Sequence, residues 1–343
     1  MTQGGPSGLA LGVLLLAFVL GLVLTGPFIR ALRYFRIGKQ IRREGPRSHY
    51  AKQGLLTMGG VLPIGVVALI WTGLYAIIPD SPLPSTTPPE TMRGEFLAQT
   101  IVPMGALLAV GALGAIDDYV NVAYGFGIRG RHKLVWQLIV GVAGALYIQR
   151  HFGITGLYVP LYGELEIGAG AFVALAVFTF LAMSNGVNLA DGLDGLAGGL
   201  CVFAFLAFAF IAQARGFPWL VVFCAAMVGA LLAYLWFNVH PAVFMMGDVG
   251  ALAFGATLAA VALTTGFVLL LPIAGPIFVV DTVSVIIQVG SYKLRGKRVF
   301  RMAPFHHHLE AIGWPESQVT MRFWLIGALG AIVAAMLAFV TPL

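Results

Sequence analysis

Residues 184–199 read Ser-Asn-Gly-Val-Asn-Leu-Ala-Asp-Gly-Leu-Asp-Gly-Leu-Ala-Gly-Gly, and they decide what kind of chain this is. Asn185, Asn188, Asp191 and Asp194 fall between two segments, 168–183 and 195–212, each apolar enough to enter a bilayer. Two carboxylates and two amides in that company are unfavourable unless they face water, a metal or a polar ligand. The stretch therefore marks the centre of a site at a membrane edge.

Composition agrees. Hydrophobic residues make up 59% of the 343 and charged residues 10%, with mean hydropathy +0.92. Soluble domains carry about 25% charged residues, so a soluble globular fold is excluded. Ten apolar runs read as membrane spans, near 8–29, 57–78, 97–116, 133–149, 168–184, 194–212, 218–237, 247–266, 268–290 and 321–341. The expected fold is an all-α polytopic membrane protein forming one integral membrane domain over 1–343. Thr264, Thr265 and Gly266 alone separate the eighth and ninth spans, and Pro272 and Pro276 should bend or break the ninth. The first run lacks a basic leader and is followed by Arg30, Arg33 and Arg36, so it reads as a retained helix. Cys201 and Cys224 lie inside apolar runs and read as buried small hydrophobes.

The net charge of +6 would suggest nucleic acid in a soluble protein, but here its distribution matters more. Loops 30–56, 117–133 and 291–322 hold all the lysines and arginines except Arg93, Arg150 and Arg215. That side is expected to be cytoplasmic, with no nucleic-acid partner, and an even number of spans puts both termini outside. Cytoplasmic loops are expected at 30–56, 117–133, 184–194, 238–248 and 291–320. On the other side, segment 80–96, punctuated by Pro82, Pro84, Pro88 and Pro89, reads as a linker, and 154–167 as a short hairpin around Gly163. No internal repeat suggests a transporter's duplicated halves.

The acids carry the chemical signal. Asp117 and Asp118 end the third span, Asp191 and Asp194 begin the sixth, and Asp248 begins the eighth, all at the basic boundary. Carboxylates from three helices facing basic loops suit a phosphorylated ligand and a hard divalent cation, Mg²⁺ with Mn²⁺ as the alternative. The spacing of three in Asn188, Asp191 and Asp194 fits a solvated face as well as a ligand face, and the membrane setting favours the ligand. Asp248 sits in Met-Met-Gly-Asp-Val-Gly (245–250), where Gly247 and Gly250 permit close backbone approach. Asp281, inside the ninth span, reads either as a structural partner or as lining a substrate groove, with the groove preferred. In Met-Ala-Pro-Phe-His-His-His-Leu-Glu (302–310), three consecutive histidines cannot all face one way, so one or two binding phosphate is preferred to a three-histidine metal site. His49, His132 and His151 read as ordinary loop residues, and His240 stays open.

Together these residues resemble the phospho-N-acetylmuramoyl-pentapeptide transferase family, within the wider polyprenyl-phosphate N-acetylhexosamine-1-phosphate transferases. The blocks that carry the resemblance are Glu44-Gly45-Pro46, Thr57-Met58-Gly59-Gly60, Asp117-Asp118-Tyr119, residues 184–199 and Phe237-Asn238 through Gly247-Asp248. Lys293 through Arg298 and Arg322-Phe323-Trp324 add to them, and Arg301 through Glu310 is specific to the muramoyl-pentapeptide branch. The resemblance implies transfer from UDP-N-acetylmuramoyl-pentapeptide to undecaprenyl phosphate, giving UMP and the first lipid-linked peptidoglycan precursor in the bacterial plasma membrane. It implies that Asp117 deprotonates or orients the lipid phosphate, with Asp118 in support, and that Asp248 binds Mg²⁺. His306 and His307 are expected at the catalytic centre. Lys52, Lys133, Asn188, Asp191, Gly192, Asp194, Asn238, Gln288, His307 and His308 are expected to contact substrate.

The chain departs from the family pattern at Asn121, Ala190, Met245 and Val249. A homodimer is an open assembly state. Two readings compete: a related transferase using another UDP-N-acetylhexosamine, and an ion-coupled transporter with intramembrane acids. The motif Asp117-Asp118-x-x-Asn121 also has the outline of an aspartate-rich prenyl-diphosphate motif, which Asp191-x-x-Asp194 matches loosely.

Overall fold

The computed structural model describes residues 6–38, 55–81 and 91–342. Nine of the ten apolar runs each form one helix. Helices α1 (Pro6–Tyr34), α2 (Val61–Ile77), α3 (Met92–Tyr124) and α4 (Gly130–Phe152) lead to an antiparallel hairpin, β1 (Gly156–Val159) and β2 (Gly163–Glu166). Helices α5 (Ala169–Ala190), α6 (Leu196–Ala214), α7 (Pro218–Asn238) and α8 (Gly247–Thr265) follow. The ninth run is broken as its prolines require: a 3-10 turn at Val268–Leu270, one turn of α9 (Leu271–Ala274), then α10 (Pro276–Arg295). Short α11 (Phe305–Ala311) and long α12 (Glu316–Val340) complete the chain.

Eight of these helices are long and apolar enough to cross a membrane by themselves. Helix α2, with 17 residues, is shorter. The hydropathy of α4 is diluted by Arg131 and Lys133 at one end and Gln149, Arg150 and His151 at the other.

The core is α7 and α8. Helix α8 is buried from Val249 to Thr265 and packs between α3 and α5, while α7 packs between α1 and α6. Inside this apolar stack, one polar chain joins three helices. Gln137 Nε2 donates to Ser184 Oγ (2.9 Å), which donates to the Leu252 carbonyl (2.9 Å), and Asn185 Nδ2 donates to Gln137 Oε1 (2.9 Å). Such bonds within a hydrocarbon setting each contribute about 0.6–2 kcal/mol to helix association. Asn185 is thereby engaged with α4, not turned toward the carboxylates. Both cysteines are free and fully buried.

The hairpin marks one end of the molecule. Tyr158 N donates to the Gly266 carbonyl (3.0 Å), Leu161 N to Thr341 Oγ1 (3.1 Å), and the Arg215 guanidinium lies 4.3 Å from the Tyr158 ring centre. Asp117, Asp118, Asp191, Asp194 and Asp248 gather at the other.

Three boundaries differ from the sequence reading. Helix α3 begins at Met92, inside the expected linker, and continues to Tyr124, so Asp117 and Asp118 lie within it rather than at its end. With 33 residues it spans about 50 Å at 1.5 Å per residue, beyond the roughly 30 Å of hydrocarbon. Its last turns therefore project past the core as helix. Likewise α5 runs through Asn188 to Ala190, which confines the non-helical link before α6 to residues 191–195.

Candidate active site

Asp117 and Asp118 point in different directions from α3 because adjacent helical positions are about 100° apart. Asp117 Oδ1 accepts the Ile128 backbone N–H, and its Oδ2 lies 2.6 Å from Lys133 Nζ. The same ammonium lies 2.6 Å from Asp248 Oδ2. One cation thus draws carboxylates from α3 and α8 to a single point. Asp117 is buried, whereas the side chains of Lys133 and Asp248 keep 20% and 25% exposure, so the point is open to solutes.

Asp118 is directed to the start of α8. Its Oδ1 accepts Asp248 N–H (3.1 Å) and its Oδ2 accepts Val249 N–H (3.0 Å). These are unpaired amides of the first turn of α8, which a carboxylate satisfies and the helix dipole favours. Gly247, at φ +76°, makes the turn into α8, and a Cβ there would collide with the Asp118 carboxylate. Asp118 therefore fixes the backbone that carries Asp248.

The 191–195 link is clasped from three sides. Asp194, 3% exposed, accepts from Ala242 N (3.2 Å) and pairs with His240 Nδ1 (2.9 Å) through Oδ2. Its backbone N–H donates to Glu316 Oε1 (2.7 Å), and its carbonyl accepts from Thr320 Oγ1 (3.2 Å). Asn238 takes Gly195 N–H (3.1 Å) and donates to the Phe244 carbonyl (2.8 Å). Ligand atoms of Asp194, His240 and Glu316 lie within 4.8 Å of one another, a set that could hold a metal ion. Hydrogen bonds already satisfy them, so the trio reads first as the clasp that ties the link to α12.

The three histidines divide, as their adjacency on one short helix demands. His306 is fully buried and bonds Asp281 Oδ2 through Nδ1 (2.8 Å). His307 Nδ1 meets Glu310 Oε2 (2.7 Å). Burial holds its imidazole below the ordinary range, although Glu310 opposes that shift. Both rings pack on Gly192, where any Cβ would overlap His306 Nε2. His308 turns away and takes the Arg301 N–H at Nδ1 (3.2 Å). Gln288 is spent on backbone as well: Oε1 accepts from Val299 N (2.9 Å) and Phe300 N (3.0 Å), and Nε2 donates to the Phe300 carbonyl (2.9 Å). Lys52 lies outside the described residues.

The structure thus brings Asp117, Lys133, Asp248 and, by backbone, Asp118 into one centre. Gly192, His306 and His307 form a second group, and Asp194 and Asn238 hold the link between helices. Sequence reasoning did not single out Glu310 or Glu316. Glu310 had a signal in its i,i+3 spacing from His307 on a helix. Glu316, 122 residues from Asp194, had none.

The chain is thus a polytopic helical membrane protein with a carboxylate–lysine centre where α3, α4 and α8 meet. The Glycosyl transferase family 4 pattern matches residues 100–266, which contain that centre. The full chain is 40% identical over 326 residues to a phospho-N-acetylmuramoyl-pentapeptide-transferase of Geobacillus sp., covering 93% of this chain and 95% of that protein. Proteins of the same name from Chloroflexus aurantiacus (40%, covering 94% and 88%) and Geobacillus thermodenitrificans (39%, covering 96% and 97%) match similarly. The chain belongs to the phospho-N-acetylmuramoyl-pentapeptide-transferase family and is an integral membrane protein.

Proposed function

We propose that the protein transfers phospho-N-acetylmuramoyl-pentapeptide from its UDP-linked donor to undecaprenyl phosphate and releases UMP, at the cytoplasmic face of the plasma membrane. The convergence of Asp117 and Asp248 on the Lys133 ammonium carries this reading. Two anionic substrates must meet there, and because two carboxylates outweigh the single ammonium, a bound divalent cation together with Lys133 would have to offset their repulsion.

The donor set fits a hard divalent cation. Two carboxylates from different helices already converge on one positive charge, and oxygen ligands of this kind select Mg²⁺ or Mn²⁺. Asp248, held by Asp118 and partly exposed, is the residue best placed to bind it, with Asp117 opposite. Such a cation, when bound, neutralises diphosphate charge as UMP leaves.

Asp117 orients the lipid phosphate and accepts any proton it still carries. An oxygen of that phosphate then forms a bond to the β-phosphorus of the donor. The bond from that phosphorus to the bridging oxygen breaks, and its electron pair leaves on UMP. Lys133, once released from the carboxylates, would be free to pair with phosphate oxygens. Catalysis is mostly positioning and charge stabilisation.

Incubating purified protein with polyprenyl phosphate and a panel of UDP-sugars tests the assignment. Lipid-linked product and UMP are expected with the muramoyl-pentapeptide donor. Product from another UDP-N-acetylhexosamine alone would reassign the substrate, and ion uptake by proteoliposomes without UMP release would reassign the class.

A further inference from the structure

Asp281 stands apart from the other acids because its side chain is completely buried within α10. Both carboxylate oxygens go to one residue. Oδ2 lies 2.8 Å from His306 Nδ1, and Oδ1 accepts the His306 backbone N–H at 3.2 Å. His306 is also completely buried. Its Nε2 has no hydrogen-bond partner among the described residues and faces Gly192. A buried polar atom left unpaired is unfavourable enough to require a functional reason.

The proton inventory narrows that reason. A pair buried this deeply is least costly when it is neutral overall. A carboxylate with an imidazolium satisfies that condition, and so does a carboxylic acid with a neutral imidazole. Both arrangements leave a hydrogen on Nε2. His307 repeats the layout beside it: Nδ1 is tied to a carboxylate, and the ring lies 4.1 Å from that of His306.

We propose that Asp281 is a positioning residue acting through His306. It fixes the ring so that Nε2–H stands behind the Gly192 turn as a donor for an anionic oxygen of the nucleotide donor's diphosphate. The turn covers that hydrogen until ligand displaces it, and the missing side chain at Gly192 keeps the cover thin. This inference rests on the transfer reaction proposed above.

The test is a double-mutant cycle on Asp281→Ala and His306→Ala, read as kcat and KM for the UDP-linked donor and KM for polyprenyl phosphate, with melting temperatures alongside. Each single change should lower kcat/KM for the donor about ten- to a hundred-fold, the worth of one hydrogen bond to a charged group, without moving the lipid KM. The double variant should be no worse than His306→Ala alone. Asp281→Asn can give its oxygen to the backbone N–H and its amide hydrogens to Nδ1, which keeps the hydrogen on Nε2. It should recover most of what Asp281→Ala loses, and it keeps the test alive if Asp281→Ala does not fold.

Additive losses, a changed melting temperature with unchanged kcat/KM, or an Asp281→Asn loss as deep as that of His306→Ala would each overturn the proposal. If the wild type makes no lipid-linked product, the reaction assignment fails instead. Calorimetric titration of UDP into the same four proteins then decides the pair: weaker binding in both single variants supports it, and equal affinity in all overturns it.

Discussion

Replacing Lys133 with methionine removes the ammonium but keeps a side chain of similar length. In the wild type the ammonium lies 2.6 Å from one oxygen of Asp117 and one of Asp248, so twice that distance, about 5 Å, bounds their separation. At an effective dielectric constant of about 20, two like charges at that distance repel by about 3 kcal/mol. The variant should be destabilised by roughly that amount in the absence of metal. A divalent cation entering the wild-type site displaces a resident charge, whereas in the variant it fills a deficit. Mg²⁺ should therefore raise the variant's melting temperature about 6 °C more than the wild type's, taking about 2 °C per kcal/mol for a long chain. The assay is thermal unfolding of solubilised protein followed by tryptophan fluorescence, with EDTA and with saturating Mg²⁺. An identical Mg²⁺ shift in both proteins would refute the reasoning, as would a metal-free variant as stable as the wild type.

Asp118→Ala leaves two amides of α8 without acceptors, costing about 1–3 kcal/mol and loosening Asp248. UMP release should fall at least about ten-fold, and near-normal turnover would deny Asp118 its part in holding the centre. Gly192→Ala places a methyl group on His306 Nε2, an overpacking of about 1–3 kcal/mol. Both melting temperature and turnover should drop, and a fully active, equally stable variant would show that the turn and the histidines are not in contact. His307 binds its proton less readily in the folded state than in the unfolded chain. Its contribution to stability is thus complete above about pH 6.5 and declines as pH falls through the depressed folded value. His307→Gln should flatten the loss of melting temperature on acidification, and an unchanged slope would contradict the assignment.

Much of the fold was legible because a bilayer imposes its own periodicity. Runs of apolar residues located ten helices, two prolines located the break before α10, and the alternation around Gly163 located the hairpin. The misplaced boundaries share a cause. Residues 117–124 and 184–190 carry polar side chains, so apolarity fades there while the backbone remains helical. The identities of the chemical residues were legible from charge in the wrong place. Their division of labour was not. Asp118 grips a helix 130 residues away, Lys133 joins carboxylates contributed by two other helices, and Asp194 meets His240 and Glu316 across long sequence gaps. Spacing can put residues on one face of one helix, but it says nothing of partners that packing alone brings together. Asp281 shows both sides: its place inside a span was visible, but the groove lining preferred for it is not what forms, since it is fully buried and bonded to His306.

One site, built on Asp117 and Asp248, is proposed to perform the phosphoryl transfer. The most direct measurement is UMP release by Asp117→Asn and Asp248→Asn, with melting temperature and monodispersity as controls for folding. Both variants are expected to fold, with release from UDP-N-acetylmuramoyl-pentapeptide and polyprenyl phosphate abolished in each. Turnover close to wild type in either variant would contradict the proposal.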